Sequence, residues 1–513
     1  MKPKTHLTAS KLYNYLQCPH RVWRDIYGNQ SEKIQETNPF VQLLWDKGMQ
    51  HEKEVVGKLG KFVDLGEGDQ QERIVNTKQA LDDGVNLLYQ PIITHENLLG
   101  IPDFLRKLDD GTYIAMDVKS GRGYEGTDDG GVDNTPKLKK HYAVQLALYT
   151  EVLEQLGYSN GQRQGIIYDI DHQEITYDLN SSMGKRTPQT FWDYYQWLKV
   201  EVTHLLENTK RNDPANSGVC KLCPWYNSCK TWVEDRDDTT GLFYVGRNAR
   251  DTLLNDIDLK TVLDAQHIDV DELLKEKKAQ GKGFLNRLGK SSLEKIKRRA
   301  EILANNKKPV LYEPIGFPKV SHELFFDIED DPTQSFVYMH GVYERSPQGK
   351  RFIPFVADAV TPESEAKAWQ EFWDYIKSLP QDDFAIYYYS HHEETTYKKM
   401  AEQYPEVATL EDIEWLYDDV RAVDLYRVIS KYTDWALSSY SLKAIAQHLG
   451  FDWRDKTPSG ALSIQWYNDY LDTGDKKILE RILLYNEDDC IATMVIKDAL
   501  VKMEEELIKH ADR

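Results

Sequence analysis

The sequence predicts an α/β protein of more than one domain, and two stretches of the chain carry this prediction. Strand-like residues 98–108 and 112–119 are joined by Asp-Asp-Gly at 109–111, a hairpin signal, and apolar positions at helical spacing follow over residues 139–157. The last third opens with three further strand-like stretches, at residues 322–328, 336–342 and 352–356. Helices and another strand alternate after them, which favours a mixed sheet.

A length of 513 residues exceeds what one hydrophobic core supports, so we expect three segments: residues 1–235, 236–310 and 311–513. The first segment opens with a helix around Leu12 and Leu16, and Thr8 and Ser10 are its candidate caps. The same segment contains a Gly- and Asp-rich stretch, residues 120–136, which we expect to form a loop.

The middle segment is helical and charged. An apolar–Gly turn followed by a basic helix, residues 284–303, resembles a helix-hairpin-helix module, which would present turn amides and a helix N-terminus to phosphate. An ordinary helical linker is the alternative. In the last segment we expect one more buried strand over residues 384–389, and helices near residues 363–378, 393–403, 441–449 and 477–505.

The chain carries 64 basic and 84 acidic side chains, a net charge of −20, which argues against a passive nucleic-acid coat. Local basic stretches such as Lys137, Lys139, Lys140 and His141 either contact phosphates or form a solvated helix face. No apolar run approaches the roughly 18 residues that span a bilayer, and the N-terminus lacks a secretory apolar region. We therefore expect a cytoplasmic protein without a membrane partner, whose cysteines serve metal or redox chemistry.

Asp103 and Asp117 fall on the two strands of the predicted hairpin. Carboxylates brought together there repel unless a cation lies between them, and Mg²⁺ or Mn²⁺ suits such an oxygen-rich site. Lys119 lies two residues after Asp117, so both side chains leave the same strand face. Its ammonium can orient the attacking water and stabilise charge on a phosphoryl group. His51, on a predicted helix, can supply a nitrogen ligand.

These residues and a later Gln-xxx-Tyr pair follow one order along the chain. That order resembles the RecB-type branch of the PD-(D/E)XK nucleases over most of residues 1–235, and it implies a restriction-endonuclease-like fold. The implied roles are metal ligands at His51, Asp103 and Asp117, a further ligand in the Val118 carbonyl, the catalytic lysine at Lys119, and residues facing the site and the DNA at Gln145 and Tyr149.

Four of the five cysteines form one pattern, with Cys18 near the N-terminus and Cys220, Cys223 and Cys229 two hundred residues later. Four thiolates suit a [4Fe–4S] cluster, and Zn²⁺ also accepts four. The spacing and its proline–aromatic setting are similar to the iron–sulfur clasp of AddB-type helicase-nucleases and of CRISPR-associated RecB-like exonucleases. The resemblance implies a structural [4Fe–4S] cluster that joins the first helix to the end of the domain, with zinc as the alternative.

A second set of acids lies in the last segment. Asp327 and Glu329 alternate at the end of an apolar strand, so they share one face. Tyr485 and Asp489 lie one helical turn apart, and Glu393 follows a strand between the two sets. This order resembles a DnaQ-like exonuclease of RNase H fold over about residues 320–505. It implies two divalent ions held by the four acids, with Tyr485 orienting the nucleophilic water.

The chain departs from that family at the middle acid, because an Asp is usual where Glu393 stands. A longer side chain changes the reach of the ligand, and Glu394 is the alternative. Asp424, after another apolar run, could be a further acid near this centre.

The whole arrangement resembles a family of bacterial RecB-like nucleases that join such a domain through a helical segment to an RNase H-like domain. It implies metal-dependent hydrolysis of DNA single strands, ends or flaps, in repair, recombination or defence. No Gly-x-x-x-x-Gly-Lys-[Ser/Thr] motif occurs, so we expect no helicase motor. Two alternatives stay open. One is an exoribonuclease, because the fold does not choose the polymer, and the other is a nucleic-acid-binding scaffold with a silent C-terminal centre.

Overall fold

The structure, a computed structural model, describes residues 5–35, 38–125, 137–184, 187–210, 212–305, 307–457 and 459–511. The chain divides into two compact units. Unit 1 comprises residues 1–214 and 221–228, and unit 2 comprises residues 215–220 and 229–513. Most of the predicted loop, residues 126–136, lies outside the described residues. Among the described residues, no helix has the length and apolar character needed to cross a membrane.

Unit 1 contains short strands and six helices in its described part. The helices are α1 Ala9–Gln17, α2 Pro19–Tyr27, α3 Pro39–Lys58, α4 Gln70–Asp82, α5 Lys140–Leu156 and α6 Phe191–Leu206. The strands are β1 Leu7–Thr8, β2 Val63–Asp64, β3 Leu87–Tyr89, β4 Ile93–His95, β5 Leu98–Gly100, β6 Phe104–Lys107, β7 Tyr113–Val118, β8 Tyr124–Glu125, β9 Lys137–Leu138, β10 Gln164–Tyr168, β11 Glu174–Asp178, β12 Ser182–Gly184 and β13 Thr187–Thr190. Helix α7, Tyr226–Asp235, contains a division between the units.

The main sheet of unit 1 has the order β11-β10-β7-β6-β3-β2. Its strand β7 pairs antiparallel with β6 and parallel with β10. All of β7 is buried, as expected for a strand covered on both faces. The predicted hairpin is confirmed, with its first stretch broken into β5 and β6 by residues 101–103.

Helix α5 packs against β7 and β10 and contacts α1 and α6. Its face toward β10 includes Leu146 and Thr150, both buried: a Cβ on Gly165 would lie 2.9 Å from Leu146, and the Thr150 hydroxyl donates to the Gln164 carbonyl at 3.4 Å. The helix ends at Gly157, whose φ of +82° is the left-handed conformation that glycine adopts without steric cost. Helix α1 begins after Thr8, whose hydroxyl accepts the backbone N–H of Lys11, so that this candidate cap is confirmed.

Unit 2 contains the remaining elements. Its further helices are α8 Arg247–Ile257, α9 Val262–Ala265, α10 Val270–Gln280, α11 Lys290–Ala304, α12 Pro362–Ser378, α13 His392–Gln403, α14 Leu410–Leu416, α15 Leu425–Tyr432, α16 Leu442–His448, α17 Gly460–Thr473 and α18 Lys476–Ala511. Its strands are β14 Val310–Leu311, β15 His322–Asp331, β16 Phe336–Ser346, β17 Gly349–Val356, β18 Phe384–Tyr388, β19 Ala422–Asp424 and β20 Thr433–Asp434.

The five-stranded sheet of unit 2 has the order β17-β16-β15-β18-β19. The first three strands along the chain pair antiparallel, whereas β18 and β19 run parallel to β15. The predicted mixed sheet is therefore confirmed. The long helix α18 packs on β15 and β16, which places its buried face against the middle of the sheet.

Helices α8 to α11 enclose an apolar cluster of their own, which includes Leu253, Leu285 and Leu293. The Lys277 ammonium donates to the carbonyls of Leu285 and Leu288 at 2.7 Å and so holds the turn between α10 and α11. The predicted helical segment is present, while its role toward phosphate and the boundaries at 235 and 310 stay predictions.

Candidate functional site

The first candidate centre consists of Asp103, Asp117 and Lys119 and lies where β6 and β7 pair. Asp117 belongs to β7, and Asp103 immediately precedes β6. The Asp103 N–H donates to the Asp117 carboxylate at 3.1 Å, and the Val118 N–H donates to the Asp103 carboxylate at 2.8 Å. Each carboxylate thus accepts a main-chain N–H from the other strand, which fixes the two acids side by side.

The charges of the first centre are strongly coupled. Burial and the neighbouring Asp117 raise the pKa of Asp103 to about 8. The Lys119 ammonium lies 2.9 Å from a carboxylate oxygen of Asp117. Burial by itself lowers the pKa of Lys119, but the attraction of Asp117 and Asp103 outweighs it and the net direction is upward. An acidic pair beside one ammonium, with Asp117 buried and Asp103 half-buried, is a suitable setting for a divalent cation.

The second candidate centre consists of Asp327, Glu329 and Asp489. One carboxylate oxygen from each lies within 4.8 Å of the others, and no other group of three His, Cys, Asp or Glu side chains reaches this spacing within the described ranges. Asp327 and Glu329 alternate on β15, and Asp489 comes from α18, which packs against that strand.

Burial makes negative charge costly at the second centre. It raises the pKa of Glu329 to about 8 and that of Asp489 to about 6. Burial and repulsion from Asp489 raise the pKa of Asp327 well above its ordinary value. Ionising all three acids at this spacing costs free energy that a bound cation would offset, so the donor set fits a hard divalent ion.

Two family models match the chain. Residues 324–501 match the RNase H superfamily, and residues 6–230 match the PD-(D/E)XK nuclease superfamily. The chain joins a PD-(D/E)XK nuclease domain to an RNase H-like domain. A search of curated proteins and a search of solved structures each gave no match. The resemblances to the PD-(D/E)XK nucleases and to the RNase H fold are confirmed at the level of these superfamilies, and domains of both kinds support a hydrolytic nuclease that acts on a nucleic acid.

Glu52 is a residue of the PD-(D/E)XK domain that the motif analysis missed. The Gln90 side-chain amide donates to Glu52 at 2.9 Å and to Asp103 at 3.3 Å, so it bridges the two acids. The Tyr89 hydroxyl also donates to Glu52. Gln90 has a φ of +52°, an uncommon conformation for a residue other than glycine. The sequence does place the acid Glu52 directly after His51, but no motif links Glu52 to Gln90.

His51 is buried on α3, and the contacts found for it differ from those expected of a ligand beside Asp103. Its Nε2 lies 3.1 Å from the carbonyl oxygen of Asp169, and its ring centroid lies 5.3 Å from that of His172. Burial, followed by the neighbouring His172, lowers the pKa of His51, so the ring is neutral at neutral pH. Metal ligation by His51 stays a prediction.

Gln145 and Tyr149 lie one turn apart on α5, and the Gln145 amide donates to the Tyr149 hydroxyl at 3.0 Å. The same hydroxyl donates to the Ile101 carbonyl at 3.3 Å, two residues before Asp103. A Cβ on Gly100 would lie 2.6 Å from the Tyr149 ring, so the chain passes directly over that ring. Tyr149 is therefore a buried support for the segment that carries Asp103, while Gln145 is only half-buried.

The acids of the RNase H-like domain are held by neutral donors. The Asn486 amide donates to Asp327 at 2.7 Å, and the Trp453 indole donates to Asp489 at 2.7 Å. Gly341 makes room for the amide, because a Cβ there would lie 1.6 Å from the Asn486 Oδ1. These supports come from β16, α18 and the segment between α16 and α17, so no local sequence pattern joins them.

Glu393 lies in the first turn of α13 and is buried, and its Oε2 has no hydrogen-bond partner among the described residues. Its charge contributes to the raised pKa of Asp327. The alternative, Glu394, pairs with Lys398 at 2.7 Å. Asp424, the further acid expected near this centre, accepts the backbone N–H groups of Ser390 and Arg427. Glu393 is not one of the three acids whose oxygens lie within 4.8 Å of one another, so its role as the middle ligand stays a prediction.

Tyr485 lies one turn before Asp489 on α18 and is hydrogen-bonded to its carboxylate. The Lys443 ammonium donates to the Tyr485 hydroxyl at 3.0 Å. Burial, followed by repulsion from Asp489, raises the pKa of Tyr485 well above its ordinary value, so the phenol keeps its proton. Lys443 lowers the pKa of Asp327 and Asp489 and was not identified from the sequence.

The four patterned cysteines are half-buried, and no disulfide joins any of the five cysteines. Cys18 lies between α1 and α2, and Cys229 lies in α7. Cys18 and Cys223 belong to unit 1, whereas Cys220 and Cys229 belong to unit 2. Their common cluster stays a prediction.

Proposed function

We propose that the chain is a metal-dependent deoxyribonuclease with two hydrolytic centres, each using Mg²⁺ or Mn²⁺. The observation that carries this proposal is the group of Asp327, Glu329 and Asp489, whose oxygens lie within 4.8 Å of one another although burial opposes their ionisation. Divalent ions bound there would polarise the phosphoryl group and activate the attacking water.

In the RNase H-like centre, the ligands we propose are Asp327, Glu329, Glu393 and Asp489. The unpartnered Oε2 of Glu393 supports its inclusion, because a buried carboxylate oxygen without a hydrogen bond is stabilised by a cation. Tyr485 would orient the nucleophilic water. Burial and then the neighbouring carboxylates raise the pKa of Tyr485 and keep this phenol protonated, so it serves as a hydrogen-bond donor rather than as a base.

In the PD-(D/E)XK centre, Asp103, Asp117 and the Val118 carbonyl are the ligands that we propose, with His51 as the ligand suggested by resemblance alone. Lys119 would hold the attacking water and stabilise charge on the phosphoryl oxygens, and its pairing with Asp117 keeps it protonated. Gln145 would face the substrate.

Isosteric substitutions test this proposal on labelled single-stranded DNA, duplex DNA and RNA. We expect Asp117→Asn and Asp327→Asn each to remove one cleavage activity, and the double variant to lose about 100-fold or more of the total rate. The exposed acids Asp109 and Asp374 offer matched Asn controls that should cleave normally. DNA cleavage by the double variant at the unchanged rate would refute both centres. Cleavage of RNA alone would instead indicate an exoribonuclease.

We further propose that Cys18, Cys220, Cys223 and Cys229 bind a structural [4Fe–4S] cluster, in a cytoplasmic setting that keeps thiols reduced. Anaerobically purified protein should then be brown and contain about four iron and four sulfide per chain. Cys18→Ala should lower this content, whereas the matched control Cys490→Ala, at a buried thiol outside the pattern, should not. One zinc per chain without iron would favour the zinc site, and protein with neither metal would refute the cluster.

A further inference from the structure

A row of aromatic rings extends from Lys119 toward solvent in unit 1. The Lys119 ammonium lies 5.9 Å from the ring centroid of Tyr142, and the centroid of the His141 ring lies 4.3 Å from that of Tyr142. Tyr13 follows, 5.8 Å from His141 between centroids, and is 45% exposed. The row therefore begins at the proposed catalytic lysine and ends at the surface.

A second row of aromatic rings begins at Lys140, the residue before His141 in the first turn of α5. The Lys140 ammonium lies 6.0 Å from the Tyr194 ring, and Tyr194 stacks on Trp197 with 5.6 Å between centroids and 28° between planes. Trp197 is 47% exposed, which is unusual for so large an apolar ring. We define the aromatic track as the rings of Tyr13, His141, Tyr142, Tyr194 and Trp197.

Two lysines beside the aromatic track lie at the N-terminus of α5, the end of a helix where positive charge is disfavoured. Lys139 and Lys140 occupy the N-cap and first position of α5, where the helix dipole disfavours cations, and no acid lies in that first turn. The Lys139 ammonium lies 5.3 Å from the Tyr142 ring. The protein has a net charge of −20 and yet places two lysines at a helix end that disfavours cations. Such a conflict between local preference and observed structure is typical of functional sites.

The loop after Lys119 brings the track next to the first centre. A Cβ on Gly121 would lie 3.2 Å from the Tyr142 hydroxyl and 3.7 Å from the Lys139 ammonium. Burial, followed by Lys139, lowers the pKa of His141 to about 4, so its ring is uncharged at neutral pH. The track therefore places aromatic rings with ammonium groups beside them directly next to Lys119, and its exposed rings are those of Tyr13 and Trp197.

We propose that the aromatic track binds single-stranded DNA next to the PD-(D/E)XK centre, with bases on the exposed rings and phosphates on Lys139 and Lys140. Stacking requires an unpaired base, since the faces of bases inside a duplex are already covered by their neighbours. The track would thus select single strands. This inference rests on the proposed function of the first centre and specifies the substrate of that centre.

Binding of a fluorescent oligothymidylate, measured by anisotropy in EDTA so that no cleavage occurs, tests the track. Trp197→Leu should weaken binding about tenfold or more, because an apolar side chain of similar bulk has no ring to stack on. Trp197→Phe should bind within about threefold of the wild type, since it keeps a ring. Tyr13→Leu tests the contribution of the first row to binding independently of Trp197. Circular dichroism verifies that each variant is folded.

The salt dependence separates stacking from charge. Lys140→Gln should reduce the slope of log affinity against log salt by about 0.7, as expected for one phosphate contact on a single strand, whereas Trp197→Leu should leave that slope unchanged. Duplex DNA should bind more weakly and should not respond to Trp197→Leu.

The proposal is overturned if both Leu variants bind the strand like the wild type, if duplex binding falls equally, or if a matched RNA strand binds more tightly through the track. Track-dependent binding without any cleavage would count against the proposed hydrolysis alone. Normal cleavage with unchanged binding in the variants would count against the track alone.

Discussion

Replacing Glu393 by Gln is expected to stabilise the metal-free RNase H-like domain and to remove its activity. Glu393 is 3% exposed and its Oε2 lacks a hydrogen-bond partner in the described structure, so its ionised form is poorly solvated. Burial raises the pKa of Glu393 from the ordinary 4.5 to about 8. Gln has the same shape without the charge, so it removes both the repulsion and a proposed ligand.

The expected gain in the free energy of unfolding follows from this pKa of Glu393. Between pH 4.5 and 8 the folded protein holds a proton on Glu393 that the unfolded chain has released, so the wild type loses stability as pH rises through this window. The interval of 3.5 pH units (8 − 4.5), at about 1.4 kcal/mol per unit, sets an upper limit of about 5 kcal/mol. Because neighbouring acids share the repulsion, we expect about 2–3 kcal/mol, or about 4–10 °C in melting temperature.

Thermal unfolding in EDTA at two pH values measures this difference. Glu393→Gln should melt like the wild type near pH 5 and clearly above it near pH 8.5. Glu394→Gln is the matched control, because Glu394 is already paired with Lys398 and should show no pH-dependent gain. The reasoning is refuted if Glu393→Gln melts no higher than the wild type near pH 8.5, or if it retains full second-centre cleavage.

Three further substitutions follow from the same contacts. Gly341→Ala would place a Cβ 1.6 Å from the Asn486 Oδ1, so the Asn486 side chain has to move. In a protein whose first centre is inactive, cleavage by the second centre should then fall about tenfold. A full rate would show that the Asn486 amide is dispensable. Tyr149→Phe should cost about 1 kcal/mol of unfolding free energy and slow the first centre several-fold, because it removes a buried hydroxyl contact; unchanged values in both assays would exclude a supporting role. Lys443→Met removes a cation that lies 3.0 Å from the Tyr485 hydroxyl and repels bound metal ions. It should therefore lower both the maximal rate and the Mn²⁺ concentration that gives half-maximal cleavage. A higher Mn²⁺ requirement would contradict this account.

The elements were largely predictable because their signals are local. The Asp-Asp-Gly turn specified the β6–β7 hairpin, and helical periodicity over residues 139–157 matched α5 within one residue at each end. Spacing alone placed Asp327 and Glu329 on one face of β15, and likewise Tyr485 and Asp489 on one face of α18. Such spacing is a property of the backbone and does not depend on the rest of the fold.

The supports of both centres could not be predicted in this way. Glu52 is joined to Asp103 by hydrogen bonds through Gln90, which depends on an unusual backbone conformation. Trp453 and Lys443 reach the second centre from segments that no motif connects to it. Contacts of this kind follow from tertiary packing, which overrides local sequence preference.

The central claim is that two separate groups of acids bind divalent cations for phosphodiester cleavage. An anomalous difference map from a crystal soaked in Mn²⁺ tests it most directly. We predict one peak or a close pair among Asp327, Glu329 and Asp489, and a separate peak between Asp103 and Asp117. A map from well-diffracting, Mn²⁺-saturated crystals with no peak at either group would contradict the account.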